Sequence, residues 1–189
     1  MNPIMQSDRE ILTALIGQRE SKRLYRGSLA SILLQTEETG SGFKKLLAAQ
    51  EFVRRVLREE LGKRDSLSRP EKVRDYLRLV FAGKEHEVFL LILLDAQHRF
   101  INVEELSRGS ISQAPVYSRE VVKCTLKNNA ASVIFAHNHT SGFAEPSQDD
   151  YRTTKRLKDA LALIDVKVLD HFVVSGNECL SFAERGLMG

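Results

Sequence analysis

Apolar residues recur along this chain with two different periods, and the change falls near residue 85. Before it they come three and four apart, the spacing that lines one face of a helix. Ile11, Leu12, Leu15 and Ile16 mark a helix over 8–18, and Leu29, Ile32 and Leu33 mark a second over 28–35. A longer helix over 43–61 carries Leu46, Leu47, Phe52, Val53, Val56 and Leu57, with Arg54, Arg55 and Arg58 on its outer side. Between the second and third, Thr36-Glu37-Glu38-Thr39-Gly40-Ser41-Gly42 is a turn rich in helix breakers. Residues 62–70 are polar and read as a linker. It ends at Pro70, which suits the first turn of a helix presenting Val73, Tyr76, Leu77 and Val80.

After residue 85, strand-like runs alternate with helices. Val88-Phe89-Leu90-Leu91-Ile92-Leu93-Leu94, between Glu87 and Asp95, reads as a buried strand over 87–94. A hairpin partner over 99–106 follows the short turn Asp95-Ala96-Gln97-His98. Then come a helix over 118–127 (Val121, Cys124, Thr125), a buried strand over 132–136, a helix over 148–164 (Leu157, Leu161, Ile164) and a last strand over 166–174. This order predicts an α/β domain with a mixed sheet between helices. The expected division is a helical region over 1–68 and an α/β domain over 69–189.

Composition narrows the class without changing this picture. With 42% hydrophobic and 28% charged residues among 189, the chain is an ordinary globular one, which excludes collagen-like, disordered and disulfide-framework proteins. The two cysteines, Cys124 and Cys179, cannot build a four-cysteine zinc site and read as small core residues. No basic segment precedes an apolar run at the N-terminus, and the longest apolar run is far short of the about 20 residues a helical membrane span needs. A cytoplasmic protein with free thiols and no membrane partner is expected. The net charge of +3 hides a division: residues 1–84 hold 17 Lys+Arg against 11 Asp+Glu, and residues 85–189 hold 11 against 14.

Chemistry concentrates in His137-Asn138-His139-Thr140-Ser141-Gly142-Phe143-Ala144-Glu145-Pro146-Ser147-Gln148-Asp149-Asp150, directly after the strand over 132–136. In an extended segment, residues i and i+2 share a face, so His137 and His139 aim at one point. The Gly- and Pro-containing turn reverses the chain, Ser147 caps the next helix, and Asp150 on its first turn returns a carboxylate to the histidines. Two imidazoles and one carboxylate are a three-ligand zinc set that leaves a fourth position for water, which suits hydrolysis. A general base must come from another element. Glu87, abutting the apolar strand, is favoured over Glu85.

The spacing His-x-His-x7-Ser-x2-Asp, with its upstream Glu, resembles the JAMM motif of JAB/MPN metalloproteases. The wider wording resembles the RadC family more closely. The matching pieces are Glu87-Val88-Phe89 through Leu94-Asp95, Glu105-Leu106-Ser107-Arg108-Gly109-Ser110, Val116-Tyr117-Ser118-Arg119-Glu120-Val121-Val122, the histidine segment and Leu169-Asp170-His171-Phe172-Val173-Val174. The resemblance covers roughly residues 70–182. It implies a three-layer αβα sandwich of the deaminase-like JAB/MPN type, preceded by a small helical region. It further implies a zinc ion held by His137, His139 and Asp150, with Glu87 as general base and then acid, and Ser147 at the oxyanion. The implied reaction is hydrolysis of an amide or isopeptide bond in a peptide substrate.

Two departures stand out. Family members usually have Pro after the second histidine, where this chain has Thr140. The family's N-terminal helix-hairpin-helix is degenerate at Thr39-Gly40-Ser41-Gly42-Phe43, although phosphate binding by N–H groups at that helix start stays open. An alternative reading is therefore a DNA-associated accessory protein of repair or recombination, with DNA on the basic N-terminal region and the α/β domain as a metal-binding scaffold. Asn138 falls outside the expected site, and Asp170 and His171 read as a strand-end pair. The trio His137-Asn138-His139 is not an HNH nuclease motif, whose residues are spread along a hairpin and helix. The Pro-Cys-x-x-Cys of zinc deaminases is absent. Oligomeric state stays open.

Overall fold

Ser7 and Glu10 start the first helix by capping each other: the Glu10 N–H donates to Ser7 Oγ at 3.4 Å, and the Ser7 N–H donates to Glu10 Oε2 at 2.8 Å. A computed structural model describes residues 7–29, 32, 40–62, 70–108 and 116–189. They form two units, Met1–Val56 and Leu57–Gly189. In the first unit, helix α1 (Asp8–Ile16) ends at Gly17, whose φ of +86° few other residues adopt, and α2 (Gln18–Leu24) begins at once. The single helix expected over 8–18 is thus shorter, and α2 was not foreseen. Most of the helix expected over 28–35 and most of the turn over 36–42 lie outside the described residues, as does nearly all of the linker over 62–70. Helix α3 (Ser41–Leu61) gives Phe43 and Leu46 to a small core with Leu12, Ile16, Leu24 and Ile32.

The second unit is a layered α/β domain. Its elements are α4 (Pro70–Phe81), β1 (Val88–Leu94), β2 (Phe100–Arg108), α5 (Ser118–Lys127), β3 (Ser132–Asn138), α6 (Gln148–Ala162), β4 (Lys167–Ser175) and β5 (Glu178–Ser181). The five strands form one mixed sheet in the order β2-β1-β3-β4-β5, with β3 parallel to β4 and the other pairs antiparallel. The sequence reading missed β5. Its signal is the two-residue turn Gly176-Asn177, in which Gly176 takes φ +57°.

Strand β3 is central and buried on both faces, which explains why it reads as a continuous apolar run. Alternate residues serve opposite cores. Ile134 and Ala136 join Leu90, Ile92 and Phe172 beneath α4 and the last turn of α3. Val133 and Phe135 join Phe89, Leu91 and Leu93 beneath α5 and α6. The three layers α, β and α follow directly from that alternation. Among the described residues no helix is long and apolar enough to cross a membrane.

Arg74 fastens α4 to the end of the chain. It pairs with Glu71 and Glu184 and lies 5.8 Å over the Phe172 ring. Cys124 and Cys179 are free and half-buried, and burial pushes the Cys179 thiol up to about 11, far from a reactive thiolate.

Phe135 is fully buried and its ring lies 5.6 Å from both Phe89 and His171. Phe135→Ala should lower the unfolding free energy by about 3–5 kcal/mol in urea denaturation. A loss under about 1 kcal/mol, the range of surface substitutions, would show that this side chain does not carry the core.

Candidate metal centre

Strand β3 runs two residues further than the apolar pattern suggests, so His137 lies within it and His139 leaves its end. The turn after it brings α6 back across the sheet toward β4. Gly142, at φ +91°, folds the turn so that the Phe143 carbonyl faces His139 Nδ1 at 3.0 Å. Ser147 is the N-cap of α6, and Asp150 is the third residue of the helix. The Ser147 N–H and hydroxyl each donate to Asp150 Oδ2 at 2.7 Å, and the Asp150 N–H donates back to Ser147 Oγ at 3.2 Å. Capping therefore aims the Asp150 carboxylate as well as starting the helix.

Three side chains converge at this point. His137 Nε2 and His139 Nε2 are 3.0 Å apart; the first is 3.0 Å from Asp150 Oδ1 and the second 3.2 Å from Oδ2. A tetrahedral ion at about 2.0–2.1 Å from each ligand needs neighbouring ligand atoms about 3.3 Å apart, so the donor set fits a cation of that kind. Burial by itself would raise the Asp150 carboxyl, but hydrogen bonds from His137 and His139 outweigh it and hold the group well below the ordinary carboxylate range. The hydrogen bond to Asp150 likewise raises His139. The group His137, His139 and Asp150 is able to hold a metal ion.

The outer ring nitrogens are held in a defined order. The Thr154 hydroxyl donates to the Asp150 backbone carbonyl at 2.6 Å, so it can only accept from His171 Nδ1, 2.7 Å away. His171 then carries its proton on Nδ1, and its Nε2 accepts from His137 Nδ1 at 2.8 Å. Burial keeps fully enclosed His171 well below the usual histidine pKa, hence neutral. The proton on His137 thus sits on Nδ1, as it does on His139, which donates to the Phe143 carbonyl. The neutral rings therefore turn their Nε2 lone pairs inward, and a proton shared there is what donates to Asp150 when no cation is bound. Phe89, stacked on His137 at 6.1 Å, closes one side.

The expectation of a strand-end pair at Asp170 and His171 needs correcting. Asp170 lies inside β4 and makes ordinary hydrogen bonds, accepting from the Ser181 hydroxyl and the N–H groups of His171 and Ala183. His171 instead belongs to the site, because parallel register sets it opposite Phe135 on the His137 face. Asn138 turns from the cleft, and its side chain bonds the backbone on either side of Glu87. Thr154 was missed altogether, its only sequence signal being a position four residues after Asp150 on one helix face.

Glu87 lines the cleft of about 640 Å³ that contains His137, His139, Ser147 and Asp150, whereas Glu85 is exposed. Burial pushes the Glu87 carboxyl up, and the two histidines work against that rise. On α6, Arg152 pairs with Asp149 and Lys155 with Asp159 on the exposed face, while Arg156 donates to the Val116 carbonyl and Lys158 to the Gly189 carbonyl. In the N-terminal unit the N–H of Gly42 donates to the Glu20 carboxylate. A Cβ on Gly42 would stand 2.7 Å from that carboxylate, so this close approach needs glycine.

Relatives match most of this chain at 44–60% identity. A UPF0758 protein of Nitrosomonas eutropha is 60% identical over 146 residues, 77% of this chain and 65% of the relative, so this chain spans about two thirds of that protein's length. A UPF0758 protein of Dechloromonas aromatica is 52% identical over 168 residues (86% of this chain, 74% of the relative). One of Idiomarina loihiensis is 44% identical over 200 aligned positions (96% and 89%). The family model described as the RadC-like JAB domain matches residues 67–187, a span that holds the sheet, α6 and every residue around the convergent histidines, and the chain belongs to that family.

Proposed function

We propose that the protein is a zinc-dependent metallohydrolase of the metallopeptidase or isopeptidase type. One observation carries this reading: two inward imidazole lone pairs and a carboxylate converge within 3.0–3.2 Å, an arrangement that needs a cation or a shared proton to be stable. Imidazole and carboxylate donors in a three-ligand set match catalytic zinc sites. A zinc ion held by His137, His139 and Asp150 would supply a Lewis acid for an amide carbonyl and lower the pKa of a water toward about 7.

The chain's own groups supply the rest. Glu87 takes a proton from the attacking water and delivers it to the leaving amine. Its carboxyl, raised by burial, suits a group that must both accept and release a proton. Ser147 lines the cleft, and its hydroxyl, which donates to Asp150 Oδ2 here, would turn to the oxygen that gains negative charge, while the Ser147 N–H keeps its hold on Asp150. Phe89 shields one side of the histidines from water. The substrate class is a peptide or isopeptide. A DNA-associated role draws only on the basic excess of residues 1–84; the Gly42 N–H, which a backbone phosphate would use, is taken by Glu20.

Protein purified without chelator should hold one zinc per chain by elemental analysis, and His139→Ala should hold none; a metal-free wild type sinks the proposal. Glu87→Gln should keep its zinc and lose about 100- to 10,000-fold in cleavage of a quenched fluorescent peptide library. Thr154→Val removes the acceptor for His171 and should weaken zinc binding about 10- to 100-fold in a chelator competition, while an unchanged affinity would dismiss the ordering argument. His139 is raised by Asp150, so the metal-free site gains a proton as pH falls through that raised value. Zinc affinity should therefore be full above it and drop about tenfold per pH unit below it, measured by titration calorimetry.

A further inference from the structure

Strands β1 and β3 pair antiparallel from Leu94–Ser132 to Phe89–His137, and there the backbone ladder between them stops. The next residue of β3 is Asn138, 4% exposed, whose backbone stays in register with Val174 of β4. Its side chain reaches the other way. The Val88 N–H donates to Asn138 Oδ1 at 2.8 Å, and Asn138 Nδ2 donates to the His86 carbonyl at 3.1 Å. The carboxamide thus stands in for one more peptide unit of β3, offering an acceptor and a donor to the two residues that flank Glu87.

Glu87 needs such support. It lies just before β1, in the irregular stretch that follows α4, where no regular element holds it. The groups it must face, His137 and His139, are the two sequence neighbours of Asn138. Alternation along an extended strand turns the histidines toward the cleft and the asparagine toward the Glu87 backbone. Few side chains can do this. Aspartate lacks the donor, and glutamine adds a methylene that would displace the carboxamide.

We propose that Asn138 is a positioning residue that sets the place of the Glu87 carboxyl relative to His137 and His139 by clamping the backbone on both sides of Glu87. The inference rests on Glu87 carrying the proton in the proposed hydrolysis. A misplacement of about 1 Å at a reacting group can cost about 100-fold in rate, so a clamp of this kind has a kinetic consequence.

The test compares Asn138→Ala, the isosteric Asn138→Asp, Glu87→Gln and the double variant Glu87→Gln/Asn138→Ala, all as zinc-loaded full chains. Asn138→Ala should keep one zinc per chain and a dispersed ¹⁵N spectrum. On the peptide that wild type cleaves best from a quenched fluorescent library, its kcat should fall about 10- to 100-fold with KM unchanged. Asn138→Asp should fall in the same direction, and the double variant should be no slower than Glu87→Gln. An equal loss in both backgrounds, an unchanged kcat or loss of zinc would each overturn the inference. Full activity in Glu87→Gln, or no cleavage by wild type, would instead sink the proposed function. The positioning is then read without turnover. The ¹³C resonance of the Glu87 carboxyl and the hydrogen exchange of the Val88 amide should both change in Asn138→Ala, and their constancy would overturn the clamp.

Discussion

The centre depends on one ordered set of protons that begins at a backbone carbonyl of α6. Because the Thr154 hydroxyl spends its hydrogen on the Asp150 carbonyl, it can only accept from His171, and His171 can only accept from His137. Each step leaves the next group one tautomer. The result is a His137 imidazole whose inner nitrogen is a lone pair, stacked on Phe89, while His171 behind it is held among Phe89, Phe135 and Phe182. Had the chain ended on a carboxylate, as such chains commonly do, a buried charge would have needed its own partner. A neutral histidine and a threonine achieve the orientation without one.

The same helix supplies both ends of this arrangement. Ser147 and Asp150 form the capping box of α6, and Thr154 stands one turn later. The positive end of the helix also favours the Asp150 carboxylate. Strand β3 does the complementary work. Its alternation hands Phe135 and His137 to one core and Ala136 to the other, and where the apolar run ends it hands Asn138 to the backbone beside Glu87. Two adjacent elements, a buried strand and the helix that follows it, thereby hold most of the polar groups of the cleft. Glu87, just before β1, and His171, in β4, arrive from elsewhere.

The N-terminal unit follows a different logic. In sequence its glycines at 40 and 42 read as part of an inter-helix turn at which phosphate binding stays open. In the fold they make room for Glu20 and Arg23 of α2, which approach the start of α3 and form an ion pair of 3.0 Å. An internal carboxylate uses the same helix-terminal N–H that an anion would. Net charge alone, read along the chain, could not reveal that.

Much was already determined by the sequence. The period of the apolar residues marks β1, α4, α5 and α6, because burial on one or two faces leaves that trace. The spacing of His137, His139, Ser147 and Asp150 places four groups together, because strand alternation and a capped helix are local rules. Only the tertiary structure decided the partners that lie far apart in the chain. Parallel pairing of β3 with β4 sets His171 beside His137 across 34 residues, and the antiparallel end of β1 brings Val88 to Asn138 across 50. Strand register is set by the packing of whole faces. No local pattern in residues 86–88 or 170–172 could announce which histidine, or which asparagine, they would meet.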